Sequence, residues 1–205
     1  MLFDDNFYTI ENPSTGIYKD RGSRFEGFAI PVKDETAVKL LLSKIKKEHP
    51  KANHHCYAFR LGPAKAIFRF SDDREPAGSA GKPIYGVIQS NDLTDILIVV
   101  VRYFGGTLLG VPGLINAYRT AAAEAIKNNI IISRLIMEKY RLTFNYDSMN
   151  LMMEMIKIAK AAILLNNTGE ICNLEIELPR NAAEELILKI RNHYLLKEKC
   201  DIQVL

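Results

Sequence analysis

The chain of 205 residues, 48% hydrophobic and 25% charged, has the composition of an ordinary globular protein and room for one large domain or two small ones. Its net charge of +3 is unevenly spread: residues 1–135 carry 18 Lys+Arg against 14 Asp+Glu, and residues 136–205 carry 9 against 10. That mild basic excess permits an anionic partner without demanding one, and three scattered cysteines (Cys56, Cys172, Cys200) in no C-x-x-C pair exclude a disulfide framework.

A reducing compartment follows from that cysteine usage. Asp4 and Asp5 stand where a signal peptide needs a basic and then an apolar run. The longest aliphatic run, Ile96–Val101, is far too short to span a bilayer. A cytoplasmic protein with no membrane contact is expected.

In chain order, residues 1–22 are polar and turn-rich and read as a leading arm or edge strand. Phe25 to Val32 is a strand. Asp34 is an N-cap, after which Val38, Leu41, Leu42 and Ile45 recur at helical spacing until Pro50. Lys39, Lys44, Lys46 and Lys47 on the other face read as a solvated surface. His54 to Leu61 and Ala66 to Phe70 form a hairpin about Gly62-Pro63. A short helix starts at Lys82-Pro83 and ends at Asn91-Asp92. Asp95 to Phe104 is apolar on both faces and must be a central strand. Leu114–Lys127 is the longest helix, its alanines suited to close packing. After a boundary near Ser133–Met137 the order is strand, helix, strand, strand, helix, strand, a ferredoxin-like βαββαβ sandwich.

Seven of the twelve glycines fall in residues 71–119. There Arg102-Tyr103-Phe104-Gly105-Gly106 ends the central strand with a cation beside open amides. Gly110, Pro112 and Gly113 carry that loop to the next helix, which holds Asn116. Free helix-start N–H groups and an arginine suit an anion. The pattern is neither GxGxxG nor a P-loop, so no nucleotide is specified. The alternative is a tight crossover in which Arg102 pairs with Asp72, Asp73 or Glu75. Those carboxylates lack the alternation of an EF-hand loop, and capping the helix that starts at Lys82-Pro83 while pairing with Arg102 is their favoured role. In His54-His55-Cys56, His54 and Cys56 share a strand face and His55 does not; His49 is near only in sequence. No second His/Cys pair stands at ligand spacing, so neither a metal nor a cofactor is expected. Ser79 is not in a nucleophile elbow, which leaves a Ser79–His54 or Ser79–His55 pair as the route to nucleophilic chemistry.

Ala52 to Ala58, Ser71 to Pro83 and Val101 to Tyr118 together resemble the YigZ/IMPACT family of translation regulators. The resemblance implies an α+β protein: residues 1–135 a ribosomal-protein domain-2-like domain, and residues 136–205 a ferredoxin-like domain similar to the C-terminal domains of elongation factor G. It further implies a non-catalytic regulator that binds RNA, the ribosome or a ribosome-associated partner. The candidate surface is Asp72, Asp73, Glu75, Ser79, Lys82, Arg102, Tyr103, Gly105, Gly106, Gly110, Gly113 and Asn116, with His54, His55 and Cys56 beside it. An enzyme with an anion loop and His/Ser/Cys chemistry is the alternative. Against the family pattern, Arg74 and Pro112 replace glycines and Ser79 replaces threonine.

Overall fold

A computed structural model describes residues 5–197 and 199–205. Asp4, half of the acidic start, lies outside the described residues. The described chain divides into two compact units, Phe7–Arg134 and Leu135–Leu205, the latter with Asp5 and Asn6.

In the first unit, β1 (Asn6–Ile10) pairs with β7 (Ile131–Leu135) in a two-stranded ribbon. The main sheet has the order β2-β3-β6-β4-β5: Ser14–Asp20, Ser23–Pro31, Ile96–Tyr103, His54–Leu61 and Ile67–Ser71. Every neighbouring pair is antiparallel. The expected leading arm is therefore two strands, and β2 turns directly into β3. Arg21 and Gly22 both have positive φ, 43° and 78°, the left-handed pair that a two-residue hairpin turn requires. Arginine in the first of those positions hid the turn from the sequence.

Strand β6 is central, as its unbroken apolar run demands. Ile96, Ile98 and Val100 pack under α2 (Gly81–Ser90) and α3 (Gly110–Lys127), while Leu97, Val99 and Val101 pack under α1 (Glu35–Glu48). All six are fully buried, each contributing roughly 1.5–3 kcal/mol of burial. Asp34 caps α1, its carboxylate accepting from Ala37 N–H at 2.8 Å. Helix α3 starts at Gly110, four residues before the expected Leu114, so Gly110, Pro112 and Gly113 are its first turn and not a free loop. Its alanines sit directly on glycines of the sheet. A Cβ on Gly27 would come within 2.5 Å of the Ala121 carbonyl oxygen.

In the second unit β8 (Met137–Asn145), α4 (Met149–Ile158), β9 (Ala162–Asn167), β10 (Ile171–Pro179), α5 (Arg180–Asn192) and β11 (Cys200–Val204) follow one another. The sheet order β11-β8-β10-β9 is the ferredoxin-like arrangement. Alternate residues of β10 (Cys172, Leu174, Ile176, Leu178) are buried with Met152, Ile156, Leu186 and Ile190 of the helices. Asn181 lies inside the first turn of α5, whose cap position is Pro179. No helix among the described residues is long and apolar enough to cross a membrane.

Candidate functional site

The site forms where the bend after β5 passes beneath α2 and across the end of β6. Asp72 is the anion of this corner. Its Oδ1 accepts from Ala80 and Gly81 N–H at 3.0 and 2.8 Å, and its Oδ2 from Gly78 N–H at 2.9 Å. The start of α2 is thereby capped from within the chain. Asp73 Oδ2 accepts from the backbone N–H of His55 at 2.7 Å. Ser79 is fully buried, and its hydroxyl donates to the Pro76 carbonyl at 2.6 Å.

Glu75 is 8% exposed and Arg102 is 5% exposed, and Arg102 Nη1 donates to Glu75 Oε1 at 2.7 Å. Tyr118 of α3 donates its hydroxyl to the same oxygen, also at 2.7 Å. His54 Nε2 lies 3.8 Å from it. The guanidinium carbon of Arg102 is 5.4 Å from the ring centres of both Phe25 and Phe104, a double cation–π contact. Arg102 Nε alone has no partner among the described residues. Of the two roles the sequence offered for Arg102, an open anion site and a pairing with an acid of the bend, the structure has the second: Arg102 is a buried charge paired with Glu75. Its surroundings are apolar, so it requires Glu75 to be tolerated there.

The sheet divides the remaining candidates. His54 and Cys56 lie on the α2/α3 side with Arg102. Tyr103 faces α1, where its hydroxyl meets His49 Nδ1 at 2.8 Å, and His55 Nε2 lies 3.1 Å from the His49 carbonyl oxygen. His49 is thus a spatial neighbour of His55, not only a sequence one. Burial holds the His55 imidazole below its ordinary pKa. No Ser79–His pair forms: His54 Nδ1 meets the Asp73 carbonyl at 2.9 Å, and Ser79 is held by Pro76. Cys56 directs its thiol at the Asp72 carbonyl, 3.0 Å away, and burial pushes its pKa far up. In the native protein Cys56 is therefore expected to resist iodoacetamide and react only as fast as the chain unfolds, measurable by mass spectrometry of a labelling time course. Cys200, pushed up to about 11 by burial and by Asp201, is not an activated thiol either.

Gly105, Gly106, Gly110 and Asn116 remain exposed, with Phe104, Thr107 and Leu108 among them. Asn116 Nδ2 donates to the Tyr18 hydroxyl at 3.3 Å. One residue outside the expected set ties the corner together. Asn53 Oδ1 accepts from Phe104 N–H at 2.9 Å, its carbonyl accepts from Arg74 Nη2 at 3.2 Å, and its N–H donates to the Arg102 carbonyl at 2.8 Å. The acidic bend, the strand end and the glycine corner meet through it. Among the described residues no group of three His, Cys, Asp or Glu side chains is placed to hold a metal ion.

The Impact N-terminal domain family matches residues 21–126, which contain the whole of this corner. The chain belongs to the IMPACT family. It is 41% identical over 126 residues to an IMPACT family member of Haemophilus influenzae, a match covering 60% of each chain. It is 29% identical over 180 residues to IMPACT family member YigZ of Escherichia coli, covering 87% of this chain and 88% of that one. The crystal structure of a hypothetical protein superimposes with a TM-score of 0.76 at 27% identity, over 99% of this chain and 98% of the other.

Arg74, which stands where the resemblance implies a glycine, takes a left-handed backbone conformation. Its φ is +73°, following Asp73 at +38°. A left-handed side-chain-bearing residue costs about 1–2 kcal/mol. Arg74→Gly is therefore expected to raise stability by about 1 kcal/mol, read from the denaturant midpoint, even though the hydrogen bond to Asn53 is lost.

Proposed function

We propose that this IMPACT family protein is a non-catalytic regulator of translation whose first unit engages RNA, the ribosome or a ribosome-associated protein in the cytoplasm. Its contact surface is the exposed corner Phe104–Gly110, and the buried Glu75–Arg102–Tyr118 cluster holds that corner in shape. The observation that carries the non-catalytic reading is the engagement of every candidate reactive group. Ser79 and Cys56, both buried, hydrogen-bond the Pro76 and Asp72 carbonyls, and Arg102 is neutralised by Glu75. A nucleophile, a base and an anion hole do not converge on an open cleft, as acyl or phosphoryl transfer would need. Family membership supports the translational setting, and the ferredoxin-like plan of the second unit is in keeping with it as fold analogy alone.

Co-sedimentation with ribosomes tests this. Binding is expected at low salt and should weaken steeply as salt rises. Leu108, at 81% exposure, is a tip residue whose replacement leaves the fold alone. Leu108→Asp should reduce co-sedimentation by roughly tenfold with no change in melting temperature. Absence of both ribosome and RNA binding by the wild-type chain at low salt overturns the proposal.

A further inference from the structure

The outer side of α2 has features that neither the core nor the Glu75–Arg102 cluster requires. On one flank lies the edge strand β5. Its Phe68 and Phe70 are 49% and 40% exposed, and both stack on Tyr85 of α2, at 4.8 and 5.8 Å between ring centres. Two half-open aromatic faces, inclined by 15° and 28° to a buried third ring, form a stacked platform.

On the other flank, between α2 and α3, runs a cleft of about 610 Å³ lined by Lys82, Gly86, Gln89, Ser90, Ile115 and Arg119 among others, with no carboxylate in the lining. Lys82 and Arg119 are exposed, and neither meets a carboxylate among the described residues. Gly86 lines the same cleft, in the middle of α2. A Cβ added there would meet nothing within 4 Å, so packing gives no reason for a residue that weakens a helix. A bare backbone on an open helix face allows another chain to approach closely.

We propose that a single strand of RNA lies across α2, its phosphates on Lys82 and Arg119, its backbone passing over Gly86, and its bases stacked on Phe68 and Phe70. The inference rests on the RNA-binding form of the function proposed above and adds to the Phe104–Gly110 corner a separate surface for the nucleic acid itself. Unpaired bases offer the faces that such a platform takes, whereas paired bases keep theirs inside the duplex. An acidic protein segment would use the two cations and leave the rings without a role.

The test is fluorescence anisotropy of the full chain with a labelled oligouridylate of roughly 12 nucleotides, within the usual range of single-strand sites. Lys82→Glu combined with Arg119→Glu should weaken binding at least tenfold and reduce the salt slope by about 1.4, the share of two phosphates. Phe68→Leu with Phe70→Leu keeps the apolar bulk and removes the stacking faces. It should weaken binding about fivefold or more with the slope unchanged. Gly86→Leu should weaken binding while the melting temperature holds or rises, an effect that a purely structural glycine would not give. Wild-type binding by the double phenylalanine variant, with polyglutamate displacing the oligonucleotide, overturns the inference in favour of an acidic protein partner. A wild-type chain that sediments with ribosomes but ignores the oligonucleotide overturns this inference alone. Failure in both assays removes the proposed function as well.

Discussion

Glu75→Ala should lower the stability of the first unit by about 3–5 kcal/mol, the cost of stranding a buried charge. Glu75 Oε1 accepts from both Arg102 and Tyr118 at 2.7 Å, and both carboxylate and guanidinium are almost wholly removed from solvent. Alanine leaves Arg102 with no carboxylate partner under α3 and Tyr118 with an unmet hydroxyl. The loss should show as a lower denaturant midpoint, with faster hydrogen exchange along β6. The pair itself has little net worth, because desolvation offsets its attraction. Glu75→Leu combined with Arg102→Met should therefore recover most of the loss. A cost below about 1 kcal/mol for Glu75→Ala would show that Arg102 reaches water with ease, and the cluster would then be a surface after all.

Gly105→Ala is expected to be the most damaging glycine replacement in the corner. A Cβ there would stand 1.9 Å from the carbonyl carbon of Gly22, 2.2 Å from its oxygen and 2.3 Å from Ser23 N. All three are backbone atoms of the β2–β3 turn, so no side chain can swing aside. The turn or the corner must move, at about 3 kcal/mol or more. It would also break the hydrogen bond from Gly105 N–H to Ser23 Oγ at 3.2 Å. Gly106→Ala is the control. Its φ is +88°, but nothing lies within 4 Å of an added Cβ, so it should cost only the backbone strain of about 1–2 kcal/mol. Thermal melts of the two variants separate contact from conformation. Equal losses would mean that the closeness of Gly22 and Gly105 does not matter.

Much of the candidate site was named from sequence, but its geometry was not. The spacing of Asp72 before the next helix pointed to a cap, and the carboxylate accepts three N–H groups there. Arg102 and Tyr103 are adjacent in a strand, and alternation sends them to opposite faces of the sheet. Treating both as one surface overlooked that. Asn53 was missed because its role is to bridge three backbone segments, which no local pattern announces. Gly110 and Gly113 read as loop because glycine and proline punctuate helices, yet proline is tolerated in a first turn, where N–H groups lack partners anyway.

Periodicity and apolar runs are local properties, so the sequence alone determined the order of elements from β3 to α3, the central place of β6 and the βαββαβ plan of the second unit. Pairing between distant side chains was decided by the tertiary structure. Arg102 meets a carboxylate 27 residues before it and an α3 tyrosine bonded to that same oxygen, and Gly105 closes on Gly22 across most of the first unit. Register and the depth of a helix on its sheet set those encounters. Both arise from the packing of the whole core, which no single window of sequence contains.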